Sequence, residues 1–113
     1  MKLRPIKDKK RIDAIFNRGV FISGRRLSVK FLKFDSGGGF YGISVSKKLF
    51  PLAVTRNLIK RRVRSQLRSL DLTNIASNNV SFFLIFSNGG AIPKSTDLVG
   101  DIESLLKRVE TGV

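Results

Sequence analysis

The sequence predicts an α+β fold, a single-domain sandwich in which helices pack against one small sheet. Two observations predict it. Apolar residues recur at helical spacing in three segments and form short strand-like runs in four others, which gives the order α-β-β-β-α-β-α. The length of 113 residues, 42% of them hydrophobic, is that of one folded domain with one core.

The N-terminal segment, residues 1–7, is predicted to be a flexible basic arm, because a proline interrupts regular structure there. A helix is predicted over residues 8–18. Asp8 suits its N-cap, the apolar residues that follow recur at helical spacing, and Gly19 suits its end. Phe16 most simply packs this helix onto the sheet, and a place in an exposed aromatic surface is the alternative.

Three strands are predicted next, over residues 20–23, 27–34 and 40–46. Side chains alternate between the two sheet faces in the second and third of these strands. On one face of the third strand, small and hydroxyl residues leave the backbone approachable. A flexible turn at residues 35–39 separates the last two strands.

The C-terminal half begins with a long helix over residues 52–70, followed by a polar loop at 71–79. The strand at 80–86 is apolar except for one serine, which is typical of a strand covered on both faces. A turn at 87–90 and a final amphipathic helix starting near residue 95 complete the chain. The strand-helix-strand unit in this region predicts a right-handed crossover by default.

The helix over residues 52–70 has one apolar side and one cationic side. No Asp or Glu occurs between Asp35 and Asp71, so the basic side chains of the helix have no local partner. Arginine predominates among them, which suits bidentate contacts with phosphate. An ordinary solvated basic face is the alternative. The apolar stripe comprises Ile59, Val63, Leu67 and Leu70, and the neighbouring arc comprises Asn57, Lys60, Arg61, Arg64 and Arg68.

The net charge of +14 predicts a polyanionic partner, nucleic acid first and an anionic membrane second. Residues 1–35 and 36–70 each carry +8, whereas residues 71–113 carry −2. The chain has no His and no Cys, which excludes thiolate zinc sites, imidazole general bases and His-dependent nucleophiles. No apolar run approaches the roughly 20 residues that span a bilayer, so we expect a soluble, unexported protein.

Two linked motifs resemble the signature of the bacterial ribonuclease P protein component. Residues 42–48 read Gly-Ile-Ser-Val-Ser-Lys-Lys, where the family has Gly-x-x-Val-Ser-Lys-Lys. Residues 53–64 read Ala-Val-Thr-Arg-Asn-Leu-Ile-Lys-Arg-Arg-Val-Arg, where the family has Ala-Val-x-Arg-Asn-x-x-Lys-Arg-x-x-Arg. Weaker similarity covers nearly the whole chain. The chain departs from the family in its spacer at 49–52, which is one residue longer and lacks a glycine, at Ser65, and at residues 87–88.

The resemblance implies a ribosomal-protein-like fold with a left-handed βαβ crossover, in place of the right-handed default. It also implies a cytoplasmic ribonucleoprotein, ribonuclease P, an endoribonuclease that hydrolytically removes the 5′ leader from precursor tRNA. In that family a large catalytic RNA performs the chemistry with divalent metal ions, here expected to be magnesium. The protein is then expected to contribute no catalytic residue and no metal ligand, and to need neither a membrane nor a protein partner.

Two groups of site residues are proposed with this resemblance. A surface that docks on phosphates of the RNA subunit would comprise Lys47, Lys48, Arg56, Asn57, Lys60, Arg61, Arg64 and Arg68. A leader-binding surface between the first helix and the exposed sheet face would comprise Phe16, Arg18, Lys30 and Tyr41. Single strands are held by a basic groove with aromatic stacking, which is what the second group offers. The sequence leaves open which sheet face is exposed.

Three other functions remain as alternatives. A structural RNA-binding protein, such as a ribosomal protein, would use the same helix without any linked reaction. A membrane-surface protein would use a basic amphipathic helix, although the apolar stripe is narrow and has no aromatic anchor. A nuclease acting alone needs paired metal ligands, whereas Asp8, Asp13 and Asp35 are scattered in the sequence.

Overall fold

The computed structural model describes residues 3–86 and 94–111. It confirms the α+β class and adds two short elements, β1 and α3, to the predicted order. The predicted turn at 87–90 lies outside the described residues. The elements are β1 (Arg4–Pro5), α1 (Lys9–Arg18), β2 (Val20–Ser23), β3 (Leu27–Lys33), β4 (Phe40–Ser44), α2 (Ala53–Ser69), α3 (Thr73–Ser77), β5 (Val80–Phe86) and α4 (Ser95–Thr111).

The five strands form one sheet in the order β1-β4-β5-β3-β2. β3 runs antiparallel to both β5 and β2, while β4 runs parallel to both β5 and β1. α2 therefore lies in a crossover between two adjacent parallel strands. β5 is the central strand, so its alternate side chains contribute to both faces of the sheet.

The strand register defines two faces of the sheet, and different helices pack on each. On the core face, Phe82 of β5 lies between Phe31 and Tyr41, and the apolar stripes of α2 and α4 pack here in one buried cluster. On the opposite face, Phe83 lies between Lys30 and Gly42. α1 packs on this second face. The two largest helices thus cover one side of the sheet, and α1 covers part of the other.

The N-terminal segment is not the free arm that the sequence predicted. Arg4 and Ile6 donate backbone hydrogen bonds to the carbonyl oxygens of Gly39 and Tyr41, at 3.3 and 2.8 Å, which forms β1. Pro5 lies between these donors on an edge strand, where its missing N–H breaks no ladder hydrogen bond. The arm prediction is therefore wrong for residues 3–6.

The predicted loop at 71–79 contains the single-turn helix α3. Ile75 and Ala76 of this helix are buried against the core, which explains why the segment is ordered. The carboxylate of Asp71 accepts hydrogen bonds from the backbone N–H and the hydroxyl of Thr73, at 3.2 and 2.7 Å. These two hydrogen bonds lower the pKa of Asp71.

The two ends of α1 match the prediction, and the reason differs from the expected one only at Gly19. The Asp8 side chain accepts a hydrogen bond of 3.0 Å from the backbone N–H of Lys10, as an N-cap does. Glycine is required at position 19 because backbone carbonyl oxygens lie too close for a side chain, and its φ is ordinary. A Cβ there would lie 2.3 Å from the carbonyl oxygen of Ile15 and 2.9 Å from that of Phe31. Glycine thus lets α1 approach β3.

Candidate nucleic-acid interface

α2 has the predicted apolar and cationic sides. Ile59, Val63 and Leu67 are buried, and their spacing of four residues places them in one stripe. A second stripe of exposed residues winds along the other side of the helix. It comprises Asn57, Arg61, Arg64 and Arg68, which we call the cationic stripe, and the half-buried Lys60 borders it.

The basic side chains of the cationic stripe have no acidic partner among the described residues. No carboxylate in residues 3–86 and 94–111 lies within 4 Å of the charged nitrogens of Arg61, Arg64 or Arg68. Two acidic residues of α4, Asp97 and Asp101, pair with Arg26 instead, at 3.9 and 3.0 Å. The stripe therefore presents positive charge that the described part of the fold does not neutralise.

Arg56 differs from the other predicted RNA-binding residues because its side chain makes hydrogen bonds within the protein. Its Nη1 donates to the carbonyl oxygens of Phe50 and Pro51, at 2.9 and 2.8 Å. Phe50 is itself buried, with its ring edge-on to Phe86 at 6.1 Å. The spacer at residues 49–52 is thus fixed by the buried Phe50 ring and by the hydrogen bonds from Arg56. The spacer follows the turn in which Lys47 and Lys48 are exposed.

We expect Arg56→Ala to lower the free energy of unfolding by about 1–2 kcal/mol, because two charge-assisted hydrogen bonds to backbone carbonyls are lost from a half-buried site. Arg61→Ala is the matched control. Arg61 is exposed, so its removal is expected to change stability by less than about 0.5 kcal/mol. Urea denaturation of both variants measures the difference. Equal stabilities would contradict a structural role for Arg56.

The second candidate surface is a group of aromatic rings around a lysine, where α1 meets the open face of the sheet. Phe16 is 39% exposed, and its ring centroid lies 5.0 Å from that of Phe83. Lys30 donates to the carbonyl oxygen of Phe16, and its Nζ lies 5.8 Å from the centre of the Phe16 ring. Phe21, 57% exposed, pairs with Lys30 across β2 and β3. We call Phe16, Phe21, Lys30 and Phe83 the aromatic face.

Gly42 makes room for this surface. A Cβ at Gly42 would lie 2.2 to 2.6 Å from three atoms of the Phe83 ring. The sequence predicted an approachable backbone at this strand, and the group that approaches it is this ring. The absence of a side chain at Gly42 therefore leaves room for the Phe83 ring, which lies against Phe16 at an interplanar angle of 45°.

Arg11 holds α1 in place over the sheet. Its guanidinium lies 4.5 Å from the centre of the Phe34 ring and 5.1 Å from that of Phe40. Its Nη2 donates to the carbonyl oxygen of Ser36 at 3.0 Å. Cation–π contacts of this kind are each worth about 0.5–2 kcal/mol. Arg11 therefore links the helix that carries Phe16 to the turn between β3 and β4.

The structure brings together only part of the predicted leader-binding group. Phe16 and Lys30 are in contact, and Arg18 is exposed in the last turn of α1. Tyr41 lies on the core face, so the structure does not bring it to the aromatic face. Conversely, sequence analysis missed Phe21 and Phe83. The alternation of side chains in β2 and β5 contains the signal, but an apolar run such as 80–86 is also the pattern of a strand covered on both faces.

The described residues contain no group of three or more Asp or Glu side chains placed to hold a metal ion. Within the same residues, no helix is long and apolar enough to cross a bilayer. The features above define a class: a small, strongly basic α+β protein with a cationic helix on one side of its sheet and an aromatic face on the other.

Comparisons with known proteins narrow this class. A family model described as Ribonuclease P matches residues 1–110. The Ribonuclease P protein component of Exiguobacterium sibiricum is 33% identical over 106 residues, which cover 91% of this chain and 87% of that relative. The structure of the Staphylococcus aureus RNase P protein superposes with a TM-score of 0.74 at 25% identity, covering 96% of each chain. The RNase P protein of Thermotoga maritima shares the fold, with a TM-score of 0.74 at 21% identity over 93% of this chain and 96% of that one.

The chain therefore belongs to the ribonuclease P protein family. Membership makes it a protein subunit of ribonuclease P and links it to tRNA processing.

Proposed function

We propose that this subunit binds both the catalytic RNA of ribonuclease P and the 5′ leader of precursor tRNA, and so promotes endonucleolytic removal of the leader. The observation that supports this most directly is the position of the two surfaces. The cationic stripe belongs to α2 on the core side of the sheet, and the aromatic face lies on the opposite side. Two RNA ligands can then be held at the same time.

The cationic stripe is proposed to dock on folded RNA through phosphates. Arg61, Arg64 and Arg68 recur at helical spacing, and each guanidinium can hold two phosphate oxygens. Lys47 and Lys48 add charge from the turn before α2. Five such contacts are expected to give a salt dependence of binding with a slope of about 3.5–4.5 in magnitude.

The aromatic face is proposed to hold the leader. Bases of a single strand stack on aromatic rings with little regard for sequence, and Phe16, Phe21 and Phe83 provide such rings. Lys30 lies among them and supplies a positive charge for the backbone. This combination suits a ligand whose sequence differs from one precursor tRNA to the next.

The chemistry is proposed to belong to the RNA subunit, with magnesium bound there. The protein has no His or Cys, and its proposed surfaces consist of cationic, amide and aromatic side chains, which bind and orient RNA but do not transfer protons near neutral pH. We further propose that the assembly works in the cytoplasm and requires no other protein.

Reconstitution tests this function. The purified chain is combined with a bacterial ribonuclease P RNA and precursor tRNA at physiological magnesium, and we expect it to stimulate cleavage. Phe16→Ala is expected to raise KM about 5- to 50-fold for a precursor with a long leader, because one stacking platform is lost. The same variant should leave a precursor with a one-nucleotide leader unaffected.

Val54→Ala serves as the control, since this apolar side chain is 80% exposed and lies outside both surfaces. Failure of the wild-type chain to stimulate cleavage would refute the proposal. Binding to ribosomal RNA without any effect on cleavage would favour a structural RNA-binding role instead. An equal loss for long and short leaders would remove Phe16 from the leader site.

A further inference from the structure

A groove of about 620 Å³ opens on the described surface, and it lies away from the aromatic face. It runs between the sheet edge formed by β1 and β4 and the segment that joins the end of α2 to α3. Its volume is within the range of about 300–1,000 Å³ that is typical of sites for small ligands. Its apolar wall comprises Leu3, Pro5, Tyr41, Leu67, Leu70 and Leu72.

The rim of this groove is cationic. Arg64 and Arg68 both line it, and neither has a carboxylate within 4 Å among the described residues. Asp71 also lines the groove, and its carboxylate, which accepts two hydrogen bonds from Thr73, offsets part of the positive charge of the two arginines. The groove therefore combines an aromatic ring and aliphatic wall with two guanidinium groups at its mouth.

This combination matches a nucleotide better than simpler ligands. A free phosphate would leave the apolar wall exposed to water, and an apolar peptide would leave both guanidinium groups without anions. A nucleotide satisfies both parts, because its base is a flat apolar surface and its phosphate is an anion. A base stacked on an aromatic side chain contributes about 1–3 kcal/mol to binding in single-stranded complexes.

The position of the groove indicates where the nucleotide comes from. Arg64 and Arg68 belong both to the groove and to the cationic stripe. An RNA backbone that follows the stripe along α2 therefore arrives at the mouth of the groove. Tyr41, which the sequence suggested for the leader, faces this side of the molecule.

We propose that the groove receives one unpaired nucleotide of the RNA subunit, with its base stacked on Tyr41 and its phosphate held by Arg64 and Arg68. The proposal rests on the proposed function, because it extends the same docking surface. The phosphate contacts of the stripe carry no sequence information, whereas contacts with a base depend on which nucleotide occupies the groove. The groove would thus set the register of the protein on the folded RNA.

Two substitutions at Tyr41 test the proposal in the full chain. Tyr41→Leu removes the ring and is expected to weaken RNA-subunit binding roughly 5- to 100-fold, whereas Tyr41→Phe keeps the ring and the affinity. The slope of affinity against salt is expected to stay the same in both variants, because no charge is removed. Urea denaturation of both variants corrects for any difference in folding.

A second measurement does not depend on substitution. Adenosine monophosphate is titrated into the isotopically labelled wild-type chain, and backbone amide signals are followed by NMR. We expect signals of Tyr41 and residues 67–72 to shift, and inorganic phosphate to leave those of Tyr41 and Leu72 unchanged. Unshifted groove signals with the nucleotide would overturn the proposal.

The binding results distinguish failure of the nucleotide groove from failure of the proposed function. Failure of the wild-type chain to bind the RNA subunit would overturn the proposed function itself. Tight binding by wild type and equally tight binding by Tyr41→Leu would overturn only the nucleotide groove. A loss for Tyr41→Leu confined to precursor tRNA would assign the groove to the leader, and this also overturns the proposal.

Discussion

Replacing Arg61, Arg64 and Arg68 together with alanine is expected to weaken binding of the RNA subunit on the order of 100-fold or more. Hydrogen bonds between charged groups contribute roughly 1.5–3 kcal/mol each, and three such contacts would be lost. The slope of log affinity against log salt should fall by about two to three units, since fewer counterions are released. Filter binding or fluorescence titration across a range of salt concentrations measures both quantities.

The control for this variant removes the same charge from other places. Lys33, Lys94 and Lys107 are exposed residues of other segments, and their combined replacement by alanine also removes three positive charges. We expect this control to keep most of the affinity and nearly the full salt slope. Equal losses in the two triple variants would mean that net charge, rather than the cationic stripe, governs binding.

Phe82→Ala is expected to lower the free energy of unfolding by about 3–5 kcal/mol, the largest stability effect of any single change considered for this chain. Phe82 is fully buried in the central strand, between Phe31 and Tyr41 of the neighbouring strands. Its removal leaves a cavity that the surrounding core fills only in part. Most single domains are stable by only about 5–15 kcal/mol, so much of the stability would be lost.

The neighbouring residue provides a matched control of the same type. Phe83 faces the opposite side of the sheet, is only half-buried and contacts Phe16. We expect Phe83→Ala to lose less than roughly half as much stability as Phe82→Ala but to bind precursor tRNA leaders more weakly. Urea denaturation and leader binding measure the two effects. Equal stability losses would contradict the assignment of the two residues to different faces.

Local signals explain the elements that the sequence predicted well. α2 and α4 each span 17 residues and carry buried residues at helical spacing, so their periodic patterns are unambiguous. The elements that were missed, β1 with two residues and α3 with five, are too short to show a period. They exist because neighbouring parts of the fold supply hydrogen bonds to β1 and a buried environment to Ile75 of α3.

The sequence by itself determined the cationic side of α2, because helical spacing and the absence of nearby acids are both local properties. It also identified the family through two linked motifs. Only the tertiary structure decided which sheet face stays open. That face brings Phe21 and Phe83 close to Phe16, whereas Tyr41 lies on the opposite face. The physical reason is that alternation along a strand defines two faces but does not say which helices cover each face. That depends on where distant helices dock, and in this protein α1 leaves part of one face exposed while α2 and α4 bury the other.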